Sequence, residues 1–97
     1  MKTSVDVKIQ TGFFERTDFM LNIAAGSLVL KPIAKSGESI SIPTSHIKSI
    51  TFYEMKLKME IQADVLTDAY FKSEGDWLDA MKALREETGV IIICEVN

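Results

Sequence analysis

The sequence predicts a mainly β fold with one helix. Apolar and polar residues alternate from Val5 to Ala63, Trp77, Ala80, Met81 and Leu84 recur at helical spacing, and Val90 to Val96 is a dense β-branched run. At 97 residues the chain has room for one hydrophobic core, so residues 1–97 read as a single domain. Hydrophobic residues at 46% and charged residues at 26% are the balance of a folded protein rather than a disordered one.

The first strand is Val5, Val7 and Ile9 with Asp6, Lys8 and Gln10 between them, a period of two with one wet face. Phe13 and Phe14 follow, then the polar turn Glu15-Arg16-Thr17-Asp18, and alternation resumes at Phe19, Leu21 and Ile23, which makes a hairpin. Ala25-Gly26-Ser27 breaks the second strand, and a third runs from Ser27 to Ala34. Pro32 has no amide to donate, so that strand should lie at an edge or bulge there. Lys35-Ser36-Gly37-Glu38 is a turn with Gly37 free to take positive φ, and Ser39-Ile40-Ser41-Ile42 is a fourth strand that stops at Pro43. Ile47 and Ile50, three apart, fit a turn that delivers Ile47 under the sheet before a fifth strand at about Ser49 to Tyr53.

Met55, Leu57, Met59, Ile61 and Ala63 then alternate with Lys56, Lys58, Glu60 and Gln62 in a sixth strand. The phase slips between Phe52 and Met55, so a hairpin and a single bent strand are both open. Val65 to Lys72 is a seventh strand. At Ser73-Glu74-Gly75-Asp76 the period becomes helical, with Ser73 placed to cap the amides and Asp76 placed to reach back. The helix covers about residues 73–88, seats Trp77 against the sheet, and has Gly89 at its C′ position. An extra strand spans about 90–96, and its unrelieved β-branching requires that its faces or its edge be covered.

Net charge is −3, and residues 1–55 hold six Lys/Arg against five Asp/Glu while 56–97 hold five against nine. Duplex nucleic acid and anionic membranes are held by a basic surplus, so nucleic acid is not an expected partner. A lone cysteine, Cys94, forms no internal disulfide, which favours a reducing, cytoplasmic setting. The amino-terminal residues lack a signal-like apolar region, and the longest apolar run is too short to span a bilayer.

No catalytic constellation stands out. Nucleophilic catalysis needs a base beside a nucleophile, and the sequence offers only His46, in a turn, and Cys94, in an apolar strand where it reads as a small buried hydrophobe. Asp64, Asp68, Asp76 and Asp79 read as solvated or helix-capping acids, not metal ligands, and Gly12, Gly26, Gly37, Gly75 and Gly89 build no phosphate loop. The expectation is therefore no enzyme, no cofactor and no metal. Lys56 and Lys58 share a strand face, and Lys8 and Arg16 flank the first turn.

Seven consecutive strands closed by one helix bearing Trp77 resemble the pleckstrin-homology-like superfold, including its bacterial and GRAM-type relatives, over roughly residues 5–88. Ile40-Ser41-Ile42-Pro43 followed by Ile47 and Ile50 looks like the passage into the fifth strand of GRAM-like domains. The resemblance implies a seven-stranded antiparallel barrel or sandwich capped by the helix, with the strand after Gly89 as an addition. Lipid-binding members carry several basic residues around the first strand pair. Here Lys8, Arg16 and Lys35 are the candidates for lipid or anionic-ligand contact at the open end of the barrel, beside Glu15 and Asp18. The primary expectation is a non-catalytic interaction module that self-associates or binds another protein, with Val90, Ile91, Ile92 and Ile93 as its contact.

Overall fold

The computed structural model describes residues 3–10, 15–34 and 37–96. The strands are β1 (Thr3–Gln10), β2 (Arg16–Ile23), β3 (Ser27–Pro32), β4 (Ile40–Pro43), β5 (Ser49–Tyr53), β6 (Lys58–Gln62), β7 (Thr67–Phe71) and β8 (Ile92–Glu95), with one helix, α1 (Glu74–Glu87), between the last two. They form a single sheet ordered β4-β3-β2-β1-β7-β6-β5-β8. The sheet is open: the expected barrel does not close by strand pairing, and β4 and β8 are its two edges.

Alternation decides which side chains go inside. Val5, Val7 and Ile9 of β1 are buried, as are Phe19, Leu21 and Ile23 of β2, and the register pairs Val7 with Phe19 and Val5 with Leu21. Leu28, Leu30, Ile42, Ile50, Phe52, Met59, Ile61, Ala69 and Phe71 continue the same apolar face around the sheet. The 3-10 turn Thr44–His46 delivers Ile47 into this core, as its spacing from Ile50 predicted.

Pro32 is accommodated differently from either expectation. Strand β3 is interior, paired with β2 on one side and β4 on the other. Its pairing with β4 stops at Leu30–Ile40, however, and the next residue, Ile33, donates its amide to Asp18 of β2. By backbone alternation the Pro32 nitrogen faces the side that β4 has already left, so no ladder bond is lost. Gly37 in the following turn takes φ 118°, and a Cβ there would stand 3.2 Å from the Pro32 ring. Lys35 and Ser36, like Phe13 and Phe14, fall outside the described residues.

The sixth strand is shorter than its periodicity predicted. Residues 54–57 form a turn, Met55 is exposed, and β5 and β6 are a hairpin in which Tyr53 faces Lys58. Leu57 sits at φ 50°, a conformation that costs an L-residue roughly 1–2 kcal/mol. Two contacts offset that cost: its side chain packs against the core, and its carbonyl accepts the Phe71 amide at 2.8 Å. The seventh strand likewise begins later than expected, with Val65 and Leu66 exposed in the turn before it.

Helix α1 starts where Ser73, extended, accepts the Asp76 amide at 3.1 Å. Trp77, Ala80, Met81, Ala83 and Leu84 form its buried face. Trp77 stands edge-on to Phe52, ring centroids 5.7 Å apart, and its indole N–H donates to the Lys58 carbonyl at 3.3 Å. The helix ends without the left-handed Gly89 expected at C′. Thr88 is extended instead, and both its amide and its hydroxyl donate to the Leu84 carbonyl. Its hydroxyl oxygen also accepts the Val90 amide at 3.3 Å, which carries the chain outward into β8.

The last strand joins the sheet of its own chain. It runs parallel to β5, with Ile50 opposite Ile92 and Tyr53 opposite Glu95. Val90 and Ile92 pack against the core, whereas Cys94, expected to be buried, is exposed because nothing beyond β8 covers it.

Candidate functional site

Two regions concentrate the residues singled out from the sequence. The first is the outer face of the sheet. Registers align Asp18, Lys8, Tyr70, Lys58, Tyr53 and Glu95 in one row across β2, β1, β7, β6, β5 and β8. Lys8 lies 3.9 Å from Asp18, and the Arg16 guanidinium stacks 3.8 Å over the Tyr70 ring. Both predicted basic contacts are therefore engaged within the chain, and Lys35, the third, lies outside the described residues.

Lys58 is the centre of this row. Its ammonium is 3.4 Å from Glu60 and 3.7 Å from Asp68, and it stands 5.4 Å from the Tyr53 ring and 5.8 Å from that of Tyr70. Only 15% of its side chain is exposed. Burial alone would lower its pKa, but Asp68, Tyr70 and Glu60 together outweigh burial and hold it above the ordinary lysine value. The Tyr53 hydroxyl is also pushed up, by burial first and then by Glu60, against the opposing pull of Lys58. Asp68 Oδ1 is buried without a hydrogen bond among the described residues and lies 3.7 Å from the Lys58 ammonium. Such a network fixes side chains in place. The two lysines of the row are matched by Asp18 and Glu95 at its ends, so it offers an anion little net attraction.

This cluster is not legible in the sequence: Lys56, which alternation places on one strand face with Lys58, lies in the 54–57 turn instead. The tyrosines belong to neighbouring strands, and only the register brings Tyr53 and Tyr70 to either side of Lys58.

The second region is the β8 edge. Ile91 and Glu95 turn their carbonyls toward β5, accepting the amides of Ile50 at 2.9 Å and Glu54 at 3.0 Å. Alternation therefore points the N–H and C=O of Ile92 and Cys94 away from the sheet. Beside them Ile91, Ile93 and Val96 are 64%, 40% and 72% exposed. Of the four predicted contact residues, then, Val90 and Ile92 lean inward and Ile91 and Ile93 face solvent.

Other candidates remain apart. His46 precedes β5 and Cys94 pairs near its far end, so the two are not brought together. His46 Nδ1 lies 3.7 Å from Asp64 Oδ2, too far for a hydrogen bond, with both side chains largely exposed. They rim an open apolar pocket of about 290 Å³ against Ile40, Ile42 and Val65. Among the described residues no three His, Cys, Asp or Glu side chains converge as a metal site, and no helix is long and apolar enough to cross a membrane.

No family model matches the chain, and no curated protein matches it. Solved structures do. The N-terminal pleckstrin-homology (PH) domain of human ARAP2 superposes with a TM-score of 0.73 at 14% identity, covering 89% of this chain and 77% of that one. The structure of the Spt16D Pob3N heterodimer matches with a TM-score of 0.72, also at 14% identity, covering 96% of this chain and 54% of the other. The chain thus spans about half the length of this second neighbour. At such identities the likeness shows the fold, which is PH-like, and function has to be argued from the surfaces.

Proposed function

We propose that this PH-like chain is a non-catalytic interaction module that self-associates through the free edge of β8. One observation carries the reading: β8 presents outward-facing backbone groups at Ile92 and Cys94, flanked by exposed Ile91 and Ile93, without the proline, lysine or bulge that usually guards an edge. Such an edge gains most by pairing with another strand. The fold class supports an interaction role, and one of the solved structures it resembles is itself a heterodimer. The reading of Lys8, Arg16 and Lys35 as an anion or lipid site has less support, because Asp18 and Tyr70 already engage the first two.

Light scattering on a sizing column across a concentration series tests the proposal. The expected mass rises toward twice that of the chain. Ile93→Lys should weaken association at least about tenfold by placing a charge on the edge, while Ser41→Lys on β4 should leave it unchanged. A monomer at every concentration, or equal effects of the two substitutions, would overturn it.

A further inference from the structure

We infer that the occupant of the β8 edge is β8 of a second copy, laid antiparallel across a twofold axis through Ile93, so that the two sheets become one. This deepens the self-association reading and rests on it. The outward-facing residues, Ile92 and Cys94, are separated by a single residue. A twofold axis through that residue sets Ile92 of each copy opposite Cys94 of the other, and each such pair exchanges both its backbone bonds. All the bonding groups lie within β8 itself. Ile93 then meets its own copy in a non-hydrogen-bonded pair, where side chains approach most closely and β-branched residues pack well.

Charge selects the same register. Glu95 is the one charged side chain of β8. With the axis at Ile93 it faces Ile91 of the second copy, and the two carboxylates stand four residues apart along the strands, about 13 Å at roughly 3.3 Å per residue. An axis at Cys94 would halve that separation to about 7 Å. It would also set Ile92 against Val96, which lies beyond the strand. A twofold contact closes on itself, leaving the β4 edges at the two far ends of the joined sheet.

Disulfide trapping reads the register directly. In the Ile92→Cys variant, which keeps Cys94, the new thiol faces Cys94 of the second copy with Cα atoms about 5.5 Å apart, within disulfide reach. Diamide, which takes up the two electrons and two protons of the paired thiols, should convert most of the variant to covalent dimer, and adding Cys94→Ser should abolish the product. In the native chain the two Cys94 residues are offset diagonally by about 9 Å, beyond reach, so little dimer should form. Ile93→Cys in a Cys94→Ser background is a second probe on the exposed face, expected to cross-link across the axis, and it stands in if Ile92→Cys unfolds. Native protein that cross-links as fully as the variant would move the axis to Cys94. Failure of both folded variants to cross-link, with light scattering still reporting a dimer, would reject the arrangement and spare self-association. A monomer by light scattering would reject both.

Discussion

The two edges of the sheet, β4 and β8, are each four residues long, yet they meet solvent on different terms. In β4 the pairing with β3 leaves Ser41 as the outward-facing residue, and Pro43, which could have extended the edge, has no amide to offer. In β8 two successive outward-facing residues are apolar or nearly so, and the neighbouring isoleucines are exposed. Anchoring differs as well: Ile42 of β4 is buried at the rim of the open pocket, whereas no residue of β8 is buried and the strand rests on β5, whose Phe52 is fully buried beneath Trp77 and Phe71. The lesson is that guarding an edge and anchoring it are separate matters: β4 is guarded and anchored by a side chain of its own, whereas β8 carries Glu95 as its single charge and is anchored through the strand it lies against.

Four substitutions would break or sharpen that contrast. Phe52→Ala should cost the most, about 3–5 kcal/mol in urea denaturation, because it removes the ring on which two other aromatics rest. Ile42→Ala should cost about 2 kcal/mol, since a rim site can collapse or admit water. A larger loss at Ile42 than at Phe52 would mean that β4 leans on its own side chain more than β8 leans on β5.

Lys58→Ala comes next, at about 1–3 kcal/mol, because it strips the buried Asp68 oxygen of the ammonium beside it. Lys58 has a folded-state pKa above its ordinary value of 10.5, so its stabilisation is fully present below that value and is lost as pH rises through the folded one. The raised Tyr53 value acts in the same direction. Stability should therefore fall on the alkaline side, above about pH 10.5, and Lys58→Ala should flatten that fall in melts recorded across pH. An unchanged alkaline slope would mean that the row does not hold the sheet beneath β8.

Gly89→Ala should have the smallest effect, and of opposite sign. Gly89 has no positive φ and open space where a Cβ would go, so alanine should add about 0.4–1 kcal/mol by restricting the unfolded chain. A loss on thermal melting would show that the link into β8 needs glycine after all.

Much of this architecture was legible in the sequence. The core faces of β1, β2 and β6 follow from alternation, and the helix follows from its period together with Ser73, all of them local signals. The hairpin at residues 54–57 was not, because Met55 and Leu57 keep the apolar rhythm of a strand while the backbone turns at Leu57. The Tyr53–Lys58–Tyr70 row and the parallel seat of β8 were also hidden, since both depend on which strands become neighbours. For the candidate site, the apolar run was visible at Val90–Ile93. Which of its residues face solvent was decided only by β5.

The extended exit at Thr88 sets the terms on which a second chain can meet β8. Residues 88–91 connect the helix to the strand, a tether that spans about 13 Å at full extension. A strand held so close to its own seat returns to β5 as an intramolecular reaction, at an effective concentration on the order of millimolar. An incoming strand cannot match that, so it adds beyond β8 instead of displacing it. The self-association proposed above would therefore be growth of the sheet and not a swap of segments, and would equilibrate on mixing without any part of the fold having to open.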